Sequence, residues 1–591
     1  MKTIEARLKA TRTIMQDAKI DALIVPRADE YLGEYVPVHN ERLAFLTGFT
    51  GSAGLFVLTA ERAILFVDGR YTLQAENQCP APLFEHHHLI NDPPLKWLSQ
   101  TLSGPAVVAV DGRVIPYRFY EQASATFDAT DLQLEALTYN PIDQIWEGRP
   151  EAPNNPALLL DLNYSGENSA EKRSRVGDTI KNQGADAALI HQLDSIAWLL
   201  NIRGDDVPHL PVLLAQAIIT QSGDVSLYTD RGKIPEGFEA HVGAGVTVFD
   251  ETEFSKGLDA LGACHAKVLI DHDHTNAFSA LHCKRAGCQL IASKDPVELP
   301  KAQKNEIEVE GIRKAHLRDG AALTRYLHWL ESEVNAKRYH DEGFVSDRLE
   351  AFRRDLPELK DLSFSTISAA GSNAAMAHYS HTNGQPAKLA PNTLYLVDSG
   401  GQYFDGTTDV TRTVAIDQPR NDHRDMFTRV LKGHIALACA QFPEGIQGHQ
   451  LDVLARQFLW EIGKDFDHGT GHGVGCYLSV HEGPQRIGKT PLPTAPLLPG
   501  MVVSNEPGYY EPNDYGIRCE NLMVVVALDS GMLGFETLTF APFDRNLIDL
   551  TLMSEPELNW LNEYHQRVFE KIGPQLPENL QPWLQSATAP L

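Results

Sequence analysis

A strand pattern that occurs twice restricts the fold more than any other feature. Asp21-Ala-Leu-Ile-Val25 reads as a buried strand behind an amphipathic helix, and Asp186-Ala-Ala-Leu-Ile190 repeats that order about 165 residues later. Each copy is accompanied by an apolar run with an aromatic, Ala44-Phe-Leu-Thr-Gly-Phe49 in the first and Ala197-Trp-Leu-Leu-Asn-Ile-Arg-Gly204 in the second. A period this long does not describe a solenoid. It predicts two related α/β domains in tandem, at 1–150 and 157–300. Between them Asn140 to Pro156 carries Pro141, Pro150, Pro153 and Pro156, and prolines at that density make an extended linker. Phe45 to Leu65 reads as strand-forming sequence broken by Gly48, Gly51 and Gly54.

At 591 residues the chain is well past the ~250–300 at which one core stops growing, so a third domain follows at 303–591. Glu306 to Glu333 reads as a long helix with Ile312, Ala315, Leu323, Leu327 and Leu330 on one stripe. Beyond it, strand-like segments (Thr393–Val397, Thr408–Ala415, Met501–Val503, Leu522–Val526) alternate with helices such as Asp422–Gln441. That texture is α+β. The final helix, Glu555 to Ile572, carries Leu558, Leu561, Tyr564 and Phe569 and serves either its own core or a subunit interface.

The 51 Lys and Arg against 78 Asp and Glu give a formal charge of −27. Nucleic acid and anionic membranes call for basic patches, so neither is an expected partner. Met1 to Gln16 reads as an amphipathic helix (Ile4, Leu8, Thr11, Met15) without the ~7–15-residue apolar core of a signal peptide. No run of about 18 apolar residues is present. Seven scattered cysteines without a CxxC spacing fit reduced thiols and a cytoplasmic protein. His86-His-His88 reads as a solvated surface run.

The chemistry concentrates in the third domain. Leu394-Tyr-Leu-Val-Asp398-Ser-Gly-Gly401 leads to Asp405-Gly-Thr-Thr-Asp409-Val-Thr-Arg412, a strand, a glycine turn and a second strand. Pairing of those strands brings Asp398 and Asp409 together, which is unfavourable unless a cation lies between them. His468-Gly-Thr-Gly-His472-Gly-Val-Gly475, with His481-Glu-Gly-Pro484 close behind, places three histidines in glycine-rich turns where a backbone and a ligand approach closely. HExxH is absent, which excludes the helical zinc-protease motif. Glu506 in Asn505-Glu-Pro-Gly-Tyr-Tyr-Glu511 and Glu520 in Gly516-Ile-Arg-Cys-Glu-Asn521 stand at the edges of apolar strands. Buried carboxylates need partners, and Arg518 can pair with one of the four. Two divalent ions balance all four, leaving a bridging hydroxide, the nucleophile that amide hydrolysis wants, as the excess anion. One histidine among four carboxylates suits Mn²⁺ or Mg²⁺ better than a thiolate-rich zinc site.

These motifs, together with Phe45-Leu-Thr-Gly-Phe-Thr-Gly-Ser-Ala-Gly54 and Val67-Asp-Gly-Arg70-Tyr-Thr-Leu-Gln74 near the front, closely resemble the pita-bread metallopeptidases (family M24B), specifically the three-domain Xaa-Pro aminopeptidases. The resemblance implies two creatinase-N-like α/β domains ahead of a pita-bread catalytic domain with a C-terminal helical extension. It implies removal of a residue that precedes proline, two divalent ions, Mn²⁺ foremost, and a homodimer. By resemblance Asp398 binds one ion, His472 and Glu506 mainly the other, and Asp409 and Glu520 bridge. Glu506 would also pass the proton to the departing proline nitrogen. His378, in Met376-Ala-His-Tyr379, would line the substrate site with His468 and His481 and donate to the scissile carbonyl and its oxyanion. Arg70 resembles a first-domain arginine that reaches toward the substrate pocket. The rival within this fold is a prolidase limited to Xaa-Pro dipeptides; a non-catalytic peptide-binding module and a metal-free amidinohydrolase are further alternatives.

Overall fold

The computed structural model describes residues 3–491 and 495–591. The chain forms two compact units, one made of Met1–Leu160 with Glu167–Val297, the other of Asp161–Gly166 with Glu298–Leu591.

The first unit contains the tandem repeat as two six-stranded mixed sheets. One is built from β1 (Ala22–Pro26), β2 (Leu55–Thr59), β3 (Ala63–Val67), β4 (Glu85–His88), β5 (Ala106–Asp111) and β6 (Leu132–Leu137), in the order β4-β3-β2-β1-β5-β6. The other is built from β7 (Ala187–Ile190), β8 (Gln216–Thr220), β9 (Val225–Tyr228), β10 (Val246–Phe249), β11 (Lys267–Ile270) and β12 (Gln289–Ala292), in the order β10-β9-β8-β7-β11-β12. Both sheets follow one pairing scheme. β1 and β7 each pair antiparallel with the next hairpin strand on one side and parallel with β5 or β11 on the other. The repeated sequence pattern is therefore a repeated topology. β2 and β3 are buried at every position, which is why they read as continuous apolar runs rather than as alternating ones. Ile24, Val57, Phe66 and Val110 of the first sheet share one hydrophobic core with Leu189, Ile218, Val268 and Ile270 of the second.

At the N-terminus α1 (Ile4–Asp17) buries Leu8, Thr11 and Met15; Met1 and Lys2 of the expected helix lie outside the described residues. The segment from Phe45 is not strand at its start. Phe45 belongs to α2 (Arg42–Thr47), which Gly48 ends in the left-handed conformation. Its counterpart α3 (Leu193–Leu200) ends the same way at Asn201. Leu43 and Leu46 bury one face of α2, so helical periodicity outweighs the aromatic content there. His86 to His88 form the edge strand β4 and are half-buried, with His87 paired to Asp92.

In the second unit α4 (Glu306–Asn335) is capped by Asn305 and Glu308 and buries Ile312, Ala315, Leu323, Leu327 and Leu330. After α5 (Glu342–Arg354), β13 (Ile367–Ala370), β14 (Thr393–Ser399) and β15 (Val410–Ile416) form one antiparallel sheet. A five-stranded sheet follows in the order β17-β16-β18-β21-β22, from β16 (Gly471–Gly473), β17 (Glu482–Ile487), β18 (Val502–Asn505), β21 (Asn521–Ala527) and β22 (Leu533–Thr537). Between its strands lies the hairpin of β19 (Gly508–Glu511) and β20 (Tyr515–Arg518). Helices α6 (Asn421–Ala438), α7 (Asp452–Trp460) and α8 (Glu555–Ile572) pack into one core through Phe427, Leu431, Leu459, Leu561, Tyr564 and Val568. The apolar face of α8 is thus core, while Phe569 is exposed on its other side. Among the described residues no helix is long and apolar enough to cross a membrane.

Candidate metal centre

Asp398 is the second-last residue of β14 and faces Thr411 of β15 in the antiparallel ladder; Asp409 immediately precedes β15. The connection is more elaborate than a simple turn, because two short strands (Gly401–Tyr403, Gly406–Thr407) form a smaller hairpin inside it. His472 is the middle residue of β16. A side chain at either flanking glycine would collide with a neighbouring strand: a Cβ at Gly471 would lie 2.1 Å from Ser504 O, and one at Gly473 2.3 Å from Glu482 O. Only glycines let the three strands close around the imidazole. Glu506 follows β18, its N–H donating to Thr470 O at 2.9 Å. Glu520 sits between β20 and β21, and its Oε2 accepts from Thr411 Oγ1 at 2.7 Å.

Ligand atoms of Asp409, His472 and Glu520 all lie within 4.8 Å of one another. His472 donates from Nδ1 to Gly473 O at 2.9 Å, which turns Nε2 inward, 3.5 Å from both Asp409 Oδ2 and Glu506 Oε1. That is the arrangement that fixes a ligating tautomer. The His472 N–H donates to Ser504 Oγ at 2.9 Å, and Ser504 Oγ donates to Glu506 Oε1 at 3.1 Å.

Asp398, Asp409 and Glu520 are buried and Glu506 is half-buried. Burial, with Asp398 and Glu506 adding to it, pushes Asp409 up to about 7. Burial likewise raises Glu506 and carries Glu520 well above the carboxylate range, the neighbouring acids contributing. Burial opposes the charge on His472, but Asp409 and Glu506 prevail and lift it to about 9. Asp398 Oδ1 and Asp409 Oδ1 are buried without a hydrogen-bond partner. Carboxylates crowded this way hold protons that a divalent cation displaces. An oxygen-rich set of four acids and one imidazole fits two such ions.

Arg518, 2% exposed, is the cation the protein itself supplies. It donates to Asp398 Oδ2 at 2.6 Å, to Tyr510 Oη at 2.7 Å and to Thr411 Oγ1 at 3.1 Å. Tyr510 Oη in turn lies 2.6 Å from His468 Nε2. His468 Nδ1 bonds to Gly469 O at 2.7 Å, and burial, with Arg518 nearby, lowers His468 to about 3. His468 is therefore neutral, donates from Nδ1 and accepts from Tyr510 at Nε2. The sequence reading cast His468 as a donor to substrate; both of its nitrogens are engaged within the protein. Tyr510 is the site residue that reading missed, and its only signal was its position four residues after Glu506.

The His481 ring lies 4.3 Å from that of His472, nearly perpendicular, and is exposed. His378 is exposed in the loop that joins β13 to β14, near enough for its charge to weigh on His468. Arg456, paired with Asp452 on α7, donates to Phe466 O and His468 O and so holds the glycine-rich loop. Arg70 belongs to the first unit, where its half-exposed guanidinium chelates Asp68. Cys519 beside the centre is a buried thiol, pushed up to about 12 by burial.

The sequence matches metallopeptidase family M24 over residues 310–527 and the C-terminal region of that peptidase family over 531–591. It matches the creatinase/prolidase N-terminal domain twice, at 7–140 and 148–308. A probable Xaa-Pro aminopeptidase P from Coprinopsis cinerea is 38% identical over 99% of this chain and 98% of its own length. The chain belongs to the Xaa-Pro aminopeptidase family of M24 metallopeptidases. Aminopeptidase P1 of Arabidopsis thaliana is 36% identical over 99% of both chains. Among solved structures, the X-prolyl aminopeptidase of Caenorhabditis elegans, described as a cytosolic enzyme with a di-nuclear active site, superposes with a TM-score of 0.94 at 34% identity over the whole of both chains. The Xaa-Pro dipeptidase of Bacillus anthracis shares the fold at 24% identity with a TM-score of 0.52, covering 64% of this chain and 99% of its own. The Xaa-Pro aminopeptidase family thus accounts for both N-terminal sheets as well as for the domain that carries the acids.

Proposed function

We propose that the protein is a metal-dependent aminopeptidase that hydrolyses the bond between an N-terminal residue and a following proline. The observation that carries this reading is the convergence of Asp409, His472 and Glu520, flanked by Asp398 and Glu506, in a member of that family. Asp398, Asp409, His472, Glu506 and Glu520 would hold two divalent ions, Mn²⁺ by the preference of oxygen ligands. Bound there, the ions would supply Lewis acidity and an activated water.

The remaining work belongs to the protein. An Xaa-Pro bond is a tertiary amide with no N–H, and its nitrogen must be protonated to leave. Glu506, whose proton affinity burial raises although His472 beside it acts the other way, would hold that proton and hand it on. His481 and His378 are the exposed imidazoles of the site and would donate to the scissile carbonyl. His468 acts with Tyr510 and Arg518 to orient Asp398.

Peptides with proline at the second position are the proposed substrates, the cytoplasm the proposed location and a homodimer the proposed assembly. The dimer is supported by the exposed apolar side of α7, where Val453, Trp460 and nearby Ile462 are 44%, 45% and 38% exposed. A dipeptidase is the second reading. Relatives that span the whole chain carry the aminopeptidase name, and this favours the longer substrate. Chelator-stripped protein should release the first residue of an Xaa-Pro-Xaa tripeptide after metal is restored, Mn²⁺ outperforming Zn²⁺ and Mg²⁺. Cleavage of Xaa-Pro dipeptides alone would move the assignment to prolidase.

A further inference from the structure

The loop from 371 to 387 carries His378 to the site, and one buried carboxylate outside the metal centre holds it. Glu342, the first residue of α5, is fully buried. Its Oε1 accepts from Ala370 N–H at 2.8 Å and Asn373 Nδ2 at 2.9 Å; its Oε2 accepts from Tyr379 Oη at 2.7 Å and Ala387 N–H at 2.8 Å. These donors stand at the start of the loop, beside His378 and at the loop's end. All four are neutral, and among the described residues Glu342 forms no ion pair. Its backbone joins in, with its N–H donating to Ala387 O at 2.9 Å and its carbonyl accepting from Ser368 Oγ at 2.7 Å.

A buried carboxylate satisfied this completely by donors on a single excursion of the chain is a staple. Burying a charge is costly, and four aligned donors offset that cost only while the loop keeps this one conformation. Elsewhere the same loop presses on the hairpin that carries Tyr510 and Arg518: a Cβ at Gly516 would lie 1.8 Å from Ala374 O. The loop is thus fixed on one side by Glu342 and on the other by the strand of Arg518.

We propose that Glu342 is a positioning residue for this site, setting the place of His378 through Tyr379 and both ends of the loop. This rests on the aminopeptidase reading for its kinetic readout, while the loop itself can be followed without activity.

The test uses the metal-loaded, full-length protein. Glu342→Gln keeps the volume but directs an amide N–H at either the Ala387 or the Ala370 N–H. On a tripeptide substrate kcat should fall about 100-fold, the scale of a misplaced catalytic group, with a smaller change in KM and full metal content. Amide exchange should rise across 371–387 while β14, β15, β18 and β21 keep their protection. In a His378→Ala background the same substitution should cost little more. Tyr379→Phe, which removes one donor, should lower kcat about tenfold and decides the matter if Glu342→Gln does not fold. Wild-type kcat with unchanged loop exchange overturns the proposal. So does loss of bound metal, or an effect that simply multiplies with that of His378→Ala. Failure of the wild-type protein to cleave any Xaa-Pro peptide would sink the aminopeptidase reading instead, and the exchange of 371–387 would still test the staple.

Discussion

Arg518 Nη2 donates to Asp398 Oδ2 at 2.6 Å, and the same guanidinium reaches Tyr510 and Thr411. One planar group thereby fixes a carboxylate, the phenol that orients His468, and the threonine that also donates to Glu520. A lysine supplies the charge but not three diverging donors in one plane. Arg518→Lys is expected to keep the fold and to lower kcat/KM at least about 100-fold through misplacement of Asp398. Steady-state kinetics beside circular dichroism checks this. Activity within a few-fold of wild type would mean that charge alone suffices.

Asp409 and Glu520 carry the heaviest crowding of negative charge. Asp409→Asn and Glu520→Gln keep their shapes while removing one charge each, so metal affinity and turnover should both be lost. In the metal-free protein Glu520 already holds a proton, so Glu520→Gln should melt close to the metal-free wild type, whereas Asp409→Asn takes the partner from His472 and should melt below it. Asp409→Ala or Glu506→Ala should likewise abolish turnover with the fold kept. Elemental analysis and thermal melts in chelator read both effects, and a variant that retains turnover would refute the assignment of these ligands.

Removal of the metal should make stability depend on pH in a defined direction. Asp409 is raised from an ordinary 3.8 to about 7, and His472 from 6.5 to about 9. In each case the folded state binds protons more tightly than the unfolded one, so stability falls as pH rises through the folded value. Metal-free protein should therefore lose stability between about pH 4 and pH 9, while the metal-loaded protein is spared that loss. The gap in melting temperature should widen with pH, reaching about 5–10 °C for a few kcal/mol. A gap that narrows with rising pH would contradict the carboxylate cluster.

Much of this was readable from the chain, for physical reasons that differ by residue. Asp398, Asp409, Glu506 and Glu520 stand out because acids at the ends of apolar strands conflict with burial, and His472 because glycines flank it on both sides. The tandem fold was visible because a buried strand leaves a continuous apolar run. What each nitrogen of His468 bonds to was not readable, since its partner Tyr510 arrives on another hairpin. Nor was Glu342, whose donors lie 28 to 45 residues away along the chain. The aromatic character of Phe45 suggested strand, yet Leu43 and Leu46 bury one side of a helix there. Which core each sheet joins was equally hidden, because an apolar run does not name the face it will meet.

The assembly can be tested on α7. Val453 and Trp460 are seven residues apart, hence on one helix face, and both are more than 40% exposed. These two apolar side chains lie in water about two turns apart along α7, the surface proposed for the dimer. The apolar face of α8, by contrast, is occupied by the core through Leu561, Tyr564 and Val568. Val453→Asp with Trp460→Asp should convert a dimer to a monomer in light scattering while leaving bound metal and the melt of the catalytic unit unchanged. Substitution of Phe569 on the outer side of α8 should not. A wild-type protein that is monomeric at all concentrations would remove the dimer, and a dimer that survives the double substitution would place its interface elsewhere.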